Sequence, residues 1–301
     1  MGVGVEKLEM AGANGLDGWF RFGSREDYLQ SLEAEADVFA ARWIWGQHLV
    51  ASCAHQGRYA GYCGVCQRPA DFSFSADAGE VVNLREELVC SHCGLNARIR
   101  VVLQMLMESH PIGDAARIYL TEQASLLYKF VYERWPNVVG SEYFGDDAQA
   151  RLIWYLRHLV GEHALLRHED VTALSFADNA LDVIISCDVL EHVPDYRAAL
   201  TEFSRVLVPG GRLILTVPFM DGHAQTTIRA RMLDDGSIEH LEEPEYHGDP
   251  VDSKGVLAFY NFAWDLLDVV RASGFAEAAW RLPWAPAEGL FTTLWTLEAR
   301  K

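Results

Sequence analysis

The stretch that decides the fold runs from Glu169 to Phe219: EDVTALSFADNALDVIISCDVLEHVPDYRAALTEFSRVLVPGGRLILTVPF. Two short apolar runs, Leu181–Cys187 and Leu213–Val217, have the length and β-branched content of strands buried on both faces. Between them lie a loop bearing Asp188, Glu191 and His192, an amphipathic helix and a Pro-Gly-Gly turn. Strand, helix and strand in that order predict a doubly wound α/β domain around a mostly parallel sheet. Ligands of such sheets sit beyond the carboxyl ends of the strands, which puts Asp170, Asp188, Glu191 and His192 on one rim.

Working outward, Ile118–Leu120 reads as a first strand, 125–134 as a helix, and Val138-Val139 as a second strand ending at Glu142. A helix over 146–158 and a third strand edge over 168–172 follow. On the other side, a polar insertion spans about 220–260. A helix over 262–273 is closed by Gly274, and 276–281 with 291–297 form an antiparallel hairpin. A nucleoside bound here needs an acid for its ribose hydroxyls after the second strand, and Glu142 stands there. Asp170 with Val171 suits an adenine, the carboxylate meeting the exocyclic amine and the backbone N–H a ring nitrogen.

The motifs Asp188-Val-Leu-Glu-His-Val-Pro194 and Leu207-Val-Pro-Gly-Gly-Arg-Leu213 resemble those of the class I S-adenosylmethionine-dependent methyltransferases, in their type 11-like branch. The resemblance implies a Rossmann-like seven-stranded sheet and S-adenosylmethionine as cofactor. It also implies cofactor contacts from Glu122, Gln123, Glu142, Asp170, Val171 and Asp188. The chain departs from the family after strand one, where an acid followed by two glycines is the rule and Thr121-Glu-Gln-Ala-Ser125 stands instead. Ala124 and Ser125 are small enough to keep that turn tight, and Glu122 can hold the cofactor's ammonium. In this glycine-poor turn the chain resembles a subgroup that also carries an N-terminal zinc ribbon.

Cys63-x2-Cys66 and Cys90-x2-Cys93 supply that ribbon. Two thiolate pairs on two tight turns can close a tetrahedron around one Zn²⁺, with no position left open for a substrate, so the role expected is structural. A pair of redox dithiols is the alternative. Cys53 and Cys187 fall off the pattern. Upstream, Ser24 and Asp27 form a capping-box signature, and Tyr28, Leu32, Ala36, Phe39 and Trp43 share a face of one amphipathic helix. The expected organisation is residues 1–58 as an N-terminal extension with this helix, 59–110 as ribbon and linker helix, and 111–301 as the methyltransferase domain.

Methyl transfer needs an aligned nucleophile and, for a hydroxyl acceptor, a base; histidine titrates in the useful range. His192 is one candidate. His247 and His240 are the others, within His240-Leu-Glu-Glu-Pro-Glu-Tyr-His-Gly-Asp-Pro250, a segment similar to ones found in methyltransferases of this type. Glu191, His223, Tyr246 and Asp249 are expected to contact the acceptor. A His/Glu metal site in this region has no firm spacing behind it. The presumed pocket, rich in acids and histidines, suits a small polar acceptor such as a sugar, a glycan or a secondary metabolite, methylated on O or N.

Half of the 301 residues are hydrophobic and 23% are charged, an ordinary globular composition. The formal charge of −18 disfavours nucleic acid as a partner. No apolar run is long enough to span a membrane, and the N-terminus lacks the basic and apolar regions of a signal peptide, so a cytoplasmic enzyme is expected. A homo-oligomer stays open. Two rivals stand beside this reading: an RNA base methyltransferase, since some carry a four-cysteine module, and a non-catalytic methyltransferase fold that binds a protein partner.

Overall fold

The computed structural model describes residues 18–53, 56–74, 83–108, 115–248, 255–291 and 293–301. The chain divides into two compact units, one of residues up to 109 together with 280–296, the other of 110–279 together with 297–301. The sequence reading placed everything from 111 to 301 together.

The first unit opens with β1 (Gly18–Phe22), paired antiparallel with Trp280–Trp284. Helices α1 (Arg25–Ala34) and α2 (Ala36–Cys53) follow where one helix was expected, the break falling at Glu35 with φ −119° and ψ 30°. The Ser24 side chain accepts the Asp27 N–H, and the Asp27 carboxylate accepts the Gly23 N–H, a reciprocal cap that fixes where α1 begins. Tyr28 and Phe39 pack edge-on, Phe39 stacks on Phe20, and Trp43 of the same expected face is exposed instead. Strands β2 (Arg58–Cys63), β3 (Arg68–Ser73) and β4 (Val89–Cys90) form an antiparallel three-stranded ribbon, followed by α3 (Ala97–Glu108). Arg100 of α3 is fully buried; its guanidinium donates to the Leu88, Glu288 and Gly289 carbonyls and lies 4.2 Å over the Phe72 ring. Burying an arginine is tolerable when, as here, both terminal guanidinium nitrogens are hydrogen-bonded.

The second unit contains β5 (Ile118–Leu120), α4 (Leu126–Tyr132), β6 (Val138–Gly140), α5 (Asp146–Val160) and β7 (Leu181–Cys187). A 3₁₀ turn at Leu190–His192 leads to α6 (Tyr196–Val206) and β8 (Leu207–Thr216). The insertion is three two-stranded ribbons: β9 (Thr227–Ile228) with β14 (Tyr260–Asn261), β10 (Ala230–Met232) with β11 (Ile238–His240), and β12 (Tyr246–His247) with β13 (Val256–Leu257). Then comes α7 (Leu266–Ala272), while β15 (Glu277–Trp284) and β16 (Thr296–Arg300) each fall partly in this unit and partly in the first. No described helix is long and apolar enough to cross a membrane.

The main sheet has seven strands in the order β1-β15-β16-β8-β7-β5-β6. β6, β5, β7 and β8 run parallel, and β16 joins β8 antiparallel. The α/β expectation holds, but one strand differs. The third strand edge shrinks to a single bridge, Glu142 to His168, because Asp170 Oδ1 accepts both the N–H and the hydroxyl of Thr172 and turns the chain away. β1, within the stretch expected as an N-terminal extension, supplies the seventh strand. Ile118–Leu120, Val183–Ser186 and Leu213–Thr216 are buried throughout, as strands covered on both faces must be.

Candidate active site at the strand tips

The chain leaves β5 toward β6 on one side and later returns to β7 on the other, so the topological switch point lies at the carboxyl ends of β5 and β7. The loop after β5 carries Glu122, Gln123 and Ala124. Glu142 Oε1, from beyond β6, accepts the backbone N–H groups of Gln123 at 2.7 Å and Ala124 at 2.6 Å. The Gln123 amide donates to the Leu165 carbonyl and accepts the Arg167 N–H, so that side chain anchors the loop to the next crossover.

The glycine missing from this loop has a counterpart on the neighbouring strand. A Cβ at Gly140 would stand 2.7 Å from the Glu122 carbonyl oxygen and 2.5 Å from the Tyr128 ring. Its absence is what lets the loop lie against the end of β6. Gly140 lies outside the loop, at the end of β6, where no motif marks it in the sequence.

Asp170 is half-buried with one carboxylate oxygen committed to the Thr172 turn, and Val171 beside it is buried. Glu169, which the sequence did not single out, turns inward and binds Arg167 and Ser175. Asp188 closes β7 in the left-handed region, at φ 51°, and accepts the Thr216 hydroxyl. An aspartate adopts that conformation with less strain than most residues. Glu122, Glu142, Asp170 and Asp188 therefore occupy the tips of adjacent strands or their crossovers, a set of acids suited to the ammonium, ribose and base of a nucleoside cofactor.

The acceptor-side candidates separate into two groups. Glu191, His192 and His247 come together from the 3₁₀ turn and β12, 65 residues apart in the case of the contact between His192 and Leu257 of the neighbouring strand. His247 Nδ1 lies 3.6 Å and His192 Nε2 3.8 Å from Glu191 Oε1, with the two rings edge-to-face at 4.9 Å. The Glu191 carboxylate chiefly holds the His247 imidazole above its ordinary pKa, against the opposing pull of burial, and Glu245 adds to the rise. Glu245 bonds His247 Nε2 at 3.1 Å and is itself gripped by Arg229 at 3.2 Å. Burial pushes the Glu245 carboxyl upward, but His247, Arg229 and Asn261 outweigh it and the net shift is down. Glu245 and Arg229 were not singled out from sequence, although Glu245 lies inside the segment that was.

The other candidates stand apart. His223 and His240 are exposed, and Tyr246 is 55% exposed because successive residues of β12 face opposite ways. Asp249 lies outside the described residues.

In the first unit, Cys63, Cys66, Cys90 and Cys93 converge with all four sulfurs within 4.8 Å of one another, and none is in a disulfide. Cys66 and Cys90 sulfurs are 4.0 Å apart, close to the roughly 3.8 Å expected between thiolates sharing one zinc at about 2.3 Å each. The Cys66 N–H points to Cys63 Sγ and the His92 N–H to Cys90 Sγ, the kind of donor that steadies a metal-bound thiolate. Hydrogen bonding, from Cys93 above all, lowers the Cys63 thiol to about 5, while burial pushes the Cys66 thiol up to about 11 and the bond to Cys63 pushes Cys93 up, so without a metal the cluster favours a thiolate at Cys63 alone of these three. The donor set fits a tetrahedral soft-metal ion. Cys53's side chain lies outside the described residues, and Cys187 ends β7 away from this cluster in sequence and unit.

The seven-stranded mixed sheet with its helices is consistent with the Rossmann-like methyltransferase fold. Residues 130–215 match a family model described as a methyltransferase domain. A 51-residue segment is 49% identical to uncharacterized protein YafE of Escherichia coli (strain K12), covering 17% of this chain and 25% of that protein. Over 53 residues the chain is 43% identical to demethylmenaquinone methyltransferase of Staphylococcus aureus (strain JH9), covering 18% of this chain and 22% of the relative. The chain thus spans about a quarter of the length of the curated relatives it matches. Among solved structures, an S-adenosylmethionine-dependent methyltransferase from Mesorhizobium loti aligns over 68% of this chain and 98% of its own, at 18% identity and a TM-score of 0.43.

Proposed function

We propose that this chain transfers a methyl group to an oxygen or nitrogen of a small polar acceptor and that its four-cysteine ribbon holds a structural Zn²⁺. The observation that carries the reading is the carboxylate set at the strand tips around a loop whose backbone is fixed by Glu142. S-adenosylmethionine, when bound, supplies the activated methyl group on its sulfonium. Glu142 would hold the ribose, Asp170 and the Val171 N–H the adenine, and Glu122 and Asp188 the amino-acid end. Glu191, His192 and His247 would form the acceptor end and draw off its proton. His240, His223 and Tyr246, being exposed, suit acceptor capture at the entrance better than proton transfer.

The acceptor side holds Glu191, Glu245, His192 and His247, with Arg229 paired to Glu245 and Asn261 beside it, so hydroxyl-rich acceptors of the sugar or secondary-metabolite kind are favoured over apolar ones. Four thiolates with no open position give zinc a folding role, on the order of 10 kcal/mol in comparable modules.

Calorimetric titration with S-adenosylhomocysteine tests the reading. The wild type should bind at micromolar levels, and Glu142→Gln or Asp170→Asn should weaken binding at least tenfold. No binding to the folded wild type would overturn the enzymatic reading and favour a protein-binding module.

A further inference from the structure

We propose that Glu191, His192 and His247 form a site for one divalent first-row transition-metal ion, separate from the four-cysteine cluster. The inference deepens the methyltransferase reading, on which its role in catalysis rests, but the site itself stands on the geometry of these side chains.

The Glu191 carboxylate is 0% exposed, and neither of its oxygens has a hydrogen-bond partner. A carboxylate desolvated in this way is costly unless a cation meets it. What faces it are two imidazole nitrogens, and the far side of each ring fixes which form it takes. His192 Nδ1 is 2.8 Å from the Leu257 carbonyl, which can only accept, so that nitrogen carries the proton. His247 Nε2 is 3.1 Å from the Glu245 carboxylate and likewise carries one. In the neutral rings, His192 Nε2 and His247 Nδ1 then turn lone pairs toward Glu191, at 3.8 and 3.6 Å. With both rings neutral, three lone-pair donors converge without a proton between them; a proton on His247 Nδ1 relieves one of these contacts, whereas a metal ion at the centre meets all three.

The outer contacts are those that metal-ligating histidines use. One ring is backed by a carbonyl and the other by a carboxylate, and that carboxylate is pinned by Arg229. Ligand atoms about 2.1 Å from a shared ion stand roughly 3.0–3.4 Å apart at octahedral to tetrahedral angles. The two distances to Glu191, 3.6 and 3.8 Å, need to close by about 0.2–0.8 Å, and all three donor atoms already lie within 4.8 Å of one another. Two imidazoles and one carboxylate favour the zinc, iron, cobalt or manganese class over calcium or magnesium, and three protein ligands leave open positions. An acceptor hydroxyl at an open position would lose its proton to solvent more readily, through Lewis-acid polarisation. This gives an oxygen acceptor, preferably one with a second oxygen close enough to chelate.

The test titrates Co²⁺ into the full chain with its ribbon already loaded with zinc, and follows the visible spectrum. One equivalent should bind with the weak bands of a nitrogen- and oxygen-ligated ion, without thiolate charge transfer. His247→Asn and Glu191→Gln should each weaken binding at least tenfold, and Glu245→Gln about 10–100-fold. His247 lies on a half-buried two-residue strand, so His247→Asn decides the matter if the Glu191 variant misfolds. Absence of a bound equivalent, or equal Co²⁺ affinity in wild type and His247→Asn, overturns the proposal. S-adenosylhomocysteine titration on the same samples keeps the two readings apart. Nucleoside binding without Co²⁺ sinks the metal site alone, and Co²⁺ binding without nucleoside binding sinks the transferase reading while the metal site stands.

Discussion

Gly140→Ala tests the way the cofactor loop is seated. The new Cβ would lie 2.5 and 2.7 Å from two atoms of the Tyr128 ring and 2.7 Å from the backbone oxygen of Glu122. Relaxed carbon contacts sit near 3.5–4.0 Å, so about 1 Å of room must be found on two sides. Tyr128 is buried and packs on Tyr132, and the Glu122 carbonyl belongs to a loop tied down by Glu142. Overpacking of this kind costs about 1–3 kcal/mol, and the lost freedom of glycine in the unfolded chain returns about 0.4–1 kcal/mol. The net destabilisation is about 0–2.6 kcal/mol, and its midpoint of about 1.3 kcal/mol is a fall in Tm of roughly 3–5 °C for a unit of this size. Because the loop rather than the strand must yield, S-adenosylhomocysteine affinity should fall at least tenfold. Gly222→Ala, where nothing lies within 4 Å of the added methyl, serves as the control and should change Tm little. A Gly140→Ala protein that melts with the wild type and binds nucleoside within twofold would refute the close seating of the loop.

Stripping zinc with a chelator, or replacing Cys63 with Ser, should unfold the ribbon and lower the melting temperature; circular dichroism and metal analysis check this, and an apo protein folded like the holo form would remove the structural role. Glu202 accepts from Arg205 and from the Leu174 N–H, and Arg205 in turn holds the carbonyls of Leu174 and Phe176. Arg205 is the main cause of the depressed Glu202 pKa. A carboxyl lowered in the folded state adds stability that is complete above its unfolded value, near 4.3, and is lost as pH falls through the folded value. Glu202→Gln should therefore be less stable at neutral pH, and its deficit against the wild type should shrink as pH drops below about 4, measured by urea unfolding across pH.

The site was legible from sequence where chemistry is local. Glu142 and Asp188 follow their strands by two residues and one, so placing the strands placed those acids, whereas Asp170 lies two residues past an isolated bridge at His168. Where distant segments meet, it was not. His247 reaches Glu191 only because β12 and β13 fold back over the 3₁₀ turn, with the Phe259 N–H bonding the Glu191 carbonyl and His192 bonding Leu257. No spacing rule covers ligands separated by more than fifty residues, so His240 and His247 looked equivalent. Their ribbons separate them, leaving one exposed and the other against a buried carboxylate.

The apolar runs at Leu181–Cys187 and Leu213–Val217 and the paired cysteines were sufficient to determine the parallel core and the four-sulfur cluster. Both follow from rules of short range: a strand buried on two faces must be apolar throughout, and thiols with two residues between them share a turn. Tertiary structure alone decided that β1 would complete the sheet, that 168–172 would not, and that Gly140 would stand in for the glycines missing from the cofactor loop. Each of those outcomes depends on backbone meeting backbone across the fold. Hydrogen-bond partners and steric clearance of that kind are properties of neighbours in space, which the order of residues along the chain does not encode directly.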